Sequence, residues 1–88
     1  ALCTGAGSEY LETAKKQGAD LYLTADLKFH EAQQAVVMDL CVADLTHYAS
    51  EVLVVPVMAD YLRQKAAEEG IALEVAEAQS NGQTFWHI

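Results

Sequence analysis

Short apolar runs alternate along the chain with longer segments whose apolar residues recur at helical spacing. The runs predict strands at residues 1–3, 21–23, 40–43 and 71–75. The longer segments predict helices over residues 8–17, 27–38 and most of 48–69. This β-α-β-α-β-α-β order is typical of an α/β fold with a mainly parallel or mixed sheet and helices packed on it. No linker interrupts the pattern, so residues 1–88 are predicted to form a single domain.

Turn-forming residues set the expected limits of these elements. Gly18 and Gly70 follow helical segments, where glycine commonly ends a helix. In the second helix, Ala32, Ala35 and Val36 are expected to face the core. The candidate N-caps are Ser8, Thr24 and Asp26.

Residues 52–59 allow two interpretations. Residues 52–55 have the composition of a strand, and Pro56 has no amide hydrogen to give to a helix interior. Either the helix begins near Val55, with the proline in its first turn, or it begins at Tyr48 and kinks at the proline.

Charge and composition narrow the class of partner. Thirteen acidic and five basic residues give a formal net charge of −8, which argues against binding to nucleic acid or to an anionic membrane surface. The longest apolar run, residues 52–59, is far too short to span a bilayer, and no segment resembles a signal peptide. We therefore expect a cytoplasmic protein, with Cys3 and Cys41 as buried free thiols. Residues 1–3 read as a strand without a preceding methionine, which suggests that the chain begins within a longer protein.

Asp44, His47 and Glu51 follow the predicted strand 40–43 and form the most informative cluster. Residues four apart share one face of a helix, and imidazole and carboxylate are both ligands for zinc, manganese or iron. Open α/β sheets bind their ligands at the carboxyl ends of the strands. The cluster therefore suggests a metal site, although Asp44 as a turn residue and His47 as a surface histidine would explain the same pattern.

A second candidate segment follows the strand 21–23, at the same predicted edge of the sheet. It contains Asp26, Lys28 and His30, three ionisable groups within five residues. They are candidate catalytic residues, or else a cap and two solvated side chains of a first helical turn. The turn containing Gly5 and Gly7 could present backbone amides to an anion, but a plain tight turn is the simpler interpretation.

Three segments together resemble one protein family. Residues 3–8, Cys-Thr-Gly-Ala-Gly-Ser, look like its Cys-x-Gly-x-Gly-Ser turn. Residues 19–30 look like its Ala-Asp-x-Tyr-x-Thr-Gly-Asp-x-Lys-Tyr-His segment, and residues 46–51 like its Gly-His-Tyr-x-Ser-Glu. The chain thus resembles the C-terminal half of the Nif-three-like dinuclear-metal family, the GTP cyclohydrolase I type 2 homologues. It departs from the family pattern at Ala25 and Thr46, where glycine is usual.

The resemblance implies a site and a function. His47 and Glu51 would be ligands of a centre of two divalent metal ions (zinc, iron or manganese) per full-length chain, and Asp26, Lys28 and His30 would line the same cleft. The family's other ligands lie in its N-terminal half, so we expect this chain to be inactive alone. The whole protein would be a metal-dependent hydrolase acting on a small-molecule substrate, and would form homo-oligomers, commonly hexamers. The alternative is a non-catalytic metal-binding, regulatory or oligomerisation module.

Overall fold

The computed structural model describes residues 1–80 and 82–84. Three strands and four helices follow one another between residues 2 and 69. In chain order they are β1 (Leu2–Ala6), α1 (Leu11–Lys16), β2 (Leu21–Ala25), α2 (Phe29–Val37), β3 (Cys41–Asp44), α3 (His47–Glu51) and α4 (Val54–Glu69). A short 3-10 helix (Ser8–Tyr10) precedes α1. The predicted α/β class with packed helices is confirmed.

The three strands form a parallel sheet in the order β1-β2-β3. Leu21 lies opposite Cys41 and Thr24 opposite Asp44, while the pairing of β1 with β2 shifts register between Leu2 and Ala6. Parallel strands point the same way, so the loops that follow all three meet at one edge of the sheet. Each strand extends one to three residues beyond its predicted end, and this brings the loop residues of the candidate site together at that edge.

The core is small and is built around the central strand. Tyr22 of β2 is 2 % exposed and packs in one cluster with buried side chains of both flanking helices and of the chain before β3. These are Leu11, Ala14, Ala35 and Leu40. The Tyr22 hydroxyl donates a hydrogen bond of 2.8 Å to the Gly7 carbonyl, which satisfies the one polar group of the ring inside the core.

Helix α2 departs from its predicted face and cap. Ala35 is buried as expected, but Ala32 is exposed and Val36 is 78 % exposed, so that part of the prediction is wrong. The helix begins two residues later than predicted, and only Ala35 of α2 is buried, so the stripe of this helix that faces the core is narrower than the sequence spacing predicts. Its N-cap is Lys28, whose amide donates to the Glu31 carboxylate at 2.7 Å.

Helix α4 begins at Val54, so that Pro56 falls in its first turn, where the missing amide hydrogen has no partner to lose. The first interpretation of residues 52–59 is therefore correct for this helix, and residues 47–51 form the separate helix α3. Gly70 ends α4 with a left-handed φ of +67°.

The predicted fourth strand at residues 71–75 is wrong. This segment has no regular secondary structure, and Ile71 and Leu73 are 54 % and 53 % exposed. A strand needs a neighbour for its backbone hydrogen bonds, and the described part of the chain offers residues 71–75 none. Of this segment only Val75 lines the groove of about 300 Å³ that residues 75–78 form with α4.

The chain divides into two compact units, Ala1–Glu51 and the remainder from Val52. Every residue of the candidate site lies in the first unit. None of the helices that the structure describes is long and apolar enough to cross a membrane. Both cysteines are free, as predicted, but Cys41 is exposed and Cys3 only half-buried, because β1 and β3 are the edge strands of the sheet.

Replacing Tyr22 by phenylalanine is expected to destabilise the first unit by roughly 0.5 to 1.5 kcal/mol, because the Gly7 carbonyl would lose one of its two hydrogen bonds and keep only that from the Tyr10 amide. The free energy of unfolding from urea titration would measure this. Tyr10→Phe is the matched control, since the ring of Tyr10 is 48 % exposed. Equal stabilities for the two variants would contradict the structural role of the hydroxyl.

Candidate metal site

The site lies where β2 and β3 end. His47 is the first residue of α3 and Glu51 the last, so one helical turn brings both side chains to the same side. Asp26 follows β2 directly and reaches the same imidazole. The structure thus brings together three of the five predicted site residues, from two loops that neighbouring strands hold side by side.

The His47 ring stands between two carboxylates. Nδ1 lies 2.5 Å from Oδ2 of Asp26, and Nε2 lies 3.3 Å from Oε2 of Glu51. The hydrogen bond with Asp26, and next the negative charge of Glu51, raise the pKa of the His47 imidazole above its ordinary value. All three side chains are about half exposed, so solvent and ions reach the ring.

Asp44 does not belong to this group. Its two carboxylate oxygens accept backbone hydrogen bonds from Leu27 at 3.0 Å and from Thr46 at 2.8 Å. It therefore joins the loop after β2 to the loop after β3. Asp26 lies in the first of these loops and His47 directly follows the second. The two hydrogen bonds of Asp44 therefore fix the distance between Asp26 and His47.

Two residues of these loops adopt left-handed backbone conformations. Asp26 has φ of +55°, which aspartate tolerates, and Thr46 has φ of +65°, which is a steric outlier for a β-branched residue. Thr46 occupies a position where the resembled family usually has glycine, so the chain keeps a glycine-like turn with a residue that strains it. Such strain is common next to functional groups.

Gly5 forms a wall of the site that sequence reasoning missed. It lies in β1 with φ of +65°, and a Cβ atom built there would lie 2.7 Å from Oε1 of Glu51 and 3.2 Å from Nε2 of His47. Only glycine leaves this space open. The sequence placed Gly5 in a turn after the strand 1–3; only the structure shows it inside β1, where a glycine often marks the close approach of another group.

Lys28 and His30 are not joined to the three central residues. Both are exposed at the start of α2, and within the part of the chain that the structure describes neither side chain hydrogen-bonds to Asp26, His47 or Glu51. The hydrogen bonds from the Lys28 amide and the Ser8 hydroxyl, and next the charge of Lys28, lower the pKa of Glu31. The predicted catalytic role of Lys28 and His30 stays a prediction.

A metal ion would fit part of this site. Among residues 1–80 and 82–84, no three His, Cys, Asp or Glu side chains form a group with the geometry to hold an ion. The reason is local: Asp26 and Glu51 contact opposite nitrogens of one ring, so their oxygens do not converge. His47 Nε2 and Glu51 do converge, next to the space that a Cβ at Gly5 would fill. Two ligands are fewer than the three or more of a typical zinc site.

The structure is that of an α/β protein with a parallel sheet and a carboxylate–histidine–carboxylate group at the carboxyl edge of that sheet. The sequence profile of the family Duf34/NIF3 (NGG1p interacting factor 3) matches residues 1–83. The chain belongs to the Duf34/NIF3 family.

Relatives support this assignment in sequence and in structure. The chain is 33 % identical over 88 residues to a "GTP cyclohydrolase 1 type 2 homolog" of Streptococcus pneumoniae, and 35 % identical over 88 residues to one of Bacillus subtilis. The first alignment covers 100 % of this chain and 33 % of the Streptococcus pneumoniae protein. The second covers 97 % of this chain and 23 % of the Bacillus subtilis protein. Thus it spans about a third or less of their length.

Two crystal structures have the same fold over nearly the whole chain. A Bacillus cereus protein related to NIF3 aligns with a TM-score of 0.93 at 25 % identity, over 99 % of this chain and 24 % of that one. Staphylococcus aureus protein SA1388 aligns with a TM-score of 0.89 at 29 % identity, over 99 % of this chain and 28 % of that one.

Replacing Asp26 by asparagine is expected to lower the pKa of His47, because the hydrogen bond with the Asp26 carboxylate is the largest cause of its elevation. NMR titration of the ring would measure the change. The matched control is Asp39→Asn, since Asp39 has a similar φ of +54° but lies away from the ring. An unchanged His47 pKa in D26N would contradict the assigned contact.

The raised pKa of His47 also determines how the stability of the fold changes with pH. The charged imidazolium stabilises the fold fully below the pKa of a histidine in the unfolded chain, about 6.5. This contribution is lost as the pH rises through the higher folded value. The pH dependence of unfolding should therefore be shallower in D26N than in D39N across that interval.

Proposed function

We propose that this chain contributes His47 and Glu51 to a centre of two divalent metal ions, completed by other parts of a longer protein that is a metal-dependent hydrolase. Asp26 would orient His47, and Lys28 and His30 would meet a small-molecule substrate at the same edge. A cytoplasmic location and a homo-oligomeric, possibly hexameric, assembly belong to the same proposal.

One observation carries the metal assignment. When Asp26 accepts the hydrogen on Nδ1, the neutral His47 ring turns the lone pair of Nε2 toward Glu51, 3.3 Å away. Two electron-pair donors at this distance repel each other unless a cation lies between them. A proton satisfies the pair at low pH, and a divalent metal ion would satisfy it near neutrality.

The donor set suits the ions that the family implies. One imidazole nitrogen and one carboxylate are accepted by zinc, iron and manganese alike. A carboxylate on the far nitrogen of a metal-binding histidine fixes its tautomer and strengthens its basicity, and Asp26 holds that position. When bound, the ions would lower the pKa of a coordinated water and so supply a nucleophile for hydrolysis.

The remaining ligands would come from outside this chain. Two ligands explain only part of a dinuclear centre, and the relatives are three to four times as long as the region matched here. The hydrolase assignment is supported by the name "GTP cyclohydrolase 1 type 2 homolog" that these relatives carry.

Metal content by mass spectrometry tests the proposal on this chain and on a version extended at its N-terminus to the length of the relatives. We expect about two ions per extended chain and almost none on the 88 residues alone. His47→Ala with Glu51→Ala should remove them from the extended protein. His30→Ala is the control that should retain them, because His30 is not a proposed ligand. Unchanged metal in the double variant would contradict the assignment.

A second candidate function, oligomerisation without catalysis, is favoured by the surface of α4. Leu53, Val57 and Tyr61 recur at a spacing of four and are 70 %, 64 % and 54 % exposed. A row of this kind is typical of a helix that packs on another surface. Sedimentation should show self-association of the chain that weakens in Leu53→Asp and Val57→Asp. A well-folded monomer would count against this function.

A further inference from the structure

We propose that Ser50 is a positioning residue of this site: its hydroxyl holds α3 against the Gly5 peptide of β1, and so fixes His47 and Glu51 relative to that strand. The inference deepens the proposed function and rests on it for the metal-binding consequence. Its structural part concerns the protein without metal.

Helix α3 cannot hold its own shape. It has five residues, and a helix this short lacks enough internal hydrogen bonds to be stable alone. Both proposed ligands lie on it, one at each end. Their relative positions therefore depend on contacts between α3 and the rest of the first unit.

The Ser50 hydroxyl provides such a contact in both directions. Its oxygen accepts the Gly5 amide hydrogen at 2.9 Å and donates its own hydrogen to the His47 carbonyl at 2.8 Å. Ser50 is only 7 % exposed, and the hydrogen bond with Gly5 is buried. A buried amide without an acceptor is costly, so β1 and α3 stay joined.

The strand side of this contact is equally fixed. The Thr24 hydroxyl, fully buried, donates to the Gly5 carbonyl at 3.2 Å. The Gly5 peptide is thereby held by β2 on one side and by α3 on the other. Its Cα faces Glu51 and His47, where a Cβ would displace the Glu51 carboxylate and press closely on the His47 ring. Ser50 thus sets the distance between the ligand pair and the wall beside it.

Three variants separate positioning from simple destabilisation. Ser50→Ala removes both hydrogen bonds. Ser50→Thr keeps a hydroxyl that can still reach the carbonyl three residues back in a helix. Ser8→Ala is the matched control: it removes a hydroxyl with a comparable hydrogen bond, 2.9 Å to Glu31, in the same unit but away from α3.

The first readout needs no metal. The proton on Nδ1 of His47, hydrogen-bonded to Asp26, gives an NMR signal that reports where α3 holds the ring. We expect this signal to shift or vanish in S50A and to persist in S50T and S8A. Persistence in S50A would overturn the positioning role.

The second readout is affinity for Mn²⁺ or Zn²⁺ by calorimetry, on the version of the chain extended to the length of the relatives. Loss of a group that orients ligands typically weakens metal binding about 10- to 100-fold. We expect such a loss in S50A, and a change of less than about threefold in S50T and S8A. Equal affinities in S50A and S8A would overturn the proposal.

The NMR signal and the metal affinity together separate a failure of the proposed metal-binding function from a failure of the role of Ser50. If the unchanged extended protein binds neither ion, the proposed function fails, and the NMR signal alone decides the role of Ser50. If S50A does not fold, Gly5→Ala and Gly18→Ala replace it. Both glycines have left-handed φ values, +65° and +80°, but only a Cβ at Gly5 meets the ligand pair. Metal affinity should fall in G5A and not in G18A, and equal affinities would overturn the proposal.

Discussion

The candidate site depends on the Gly5 peptide, which is held from two sides. Thr24 of the central strand donates to its carbonyl, and its amide donates to Ser50 of α3. These bonds tie the edge strand β1 to the helix that carries both proposed ligands. Without them, α3 would be a single helical turn on the surface, with too few hydrogen bonds of its own to hold a defined position.

The charges of the site determine which ions it attracts. Asp26 and Glu51 face the two nitrogens of one imidazole, so the group carries a net charge of −1 when the ring is protonated and −2 when it is neutral. The chain as a whole is also acidic, with a net charge of −8. Cations are therefore attracted to this edge of the sheet, and anionic partners are repelled unless a bound cation reverses the local sign.

The sequence predicts an element correctly where its cause lies in the residues of that element. It fails where the cause is a contact with a distant part of the chain. Glycine at positions 18 and 70 ends helices through its backbone freedom, which is a property of the residue itself, and both predictions agree with the structure. The strand expected at residues 71–75 depends on a neighbour that no local pattern can supply. The inward face expected for α2 was partly wrong for a similar reason, since the surface on which a helix packs decides how wide a stripe of it is buried.

The site divides in the same way. The spacing of His47 and Glu51 and the position of Asp26 after a strand were visible in the sequence, and the structure brings these residues together. The parts played by Gly5 and Ser50 were not, because they come from contacts between residues 45 positions apart. Family resemblance pointed to the segments that contain them but assigned them no task.

Because a Cβ at Gly5 would meet Glu51 and His47, the residue at position 5 is informative when the sequences of related proteins are compared. Two independent features disfavour larger residues there: the left-handed φ strains any other residue, and a Cβ would displace the Glu51 carboxylate. A homologous chain that keeps the histidine and the glutamate but has a larger residue at this position would have to place the two side chains differently. Such a chain would share the histidine–glutamate spacing but not its surroundings, and a search based on the spacing alone would group the two together.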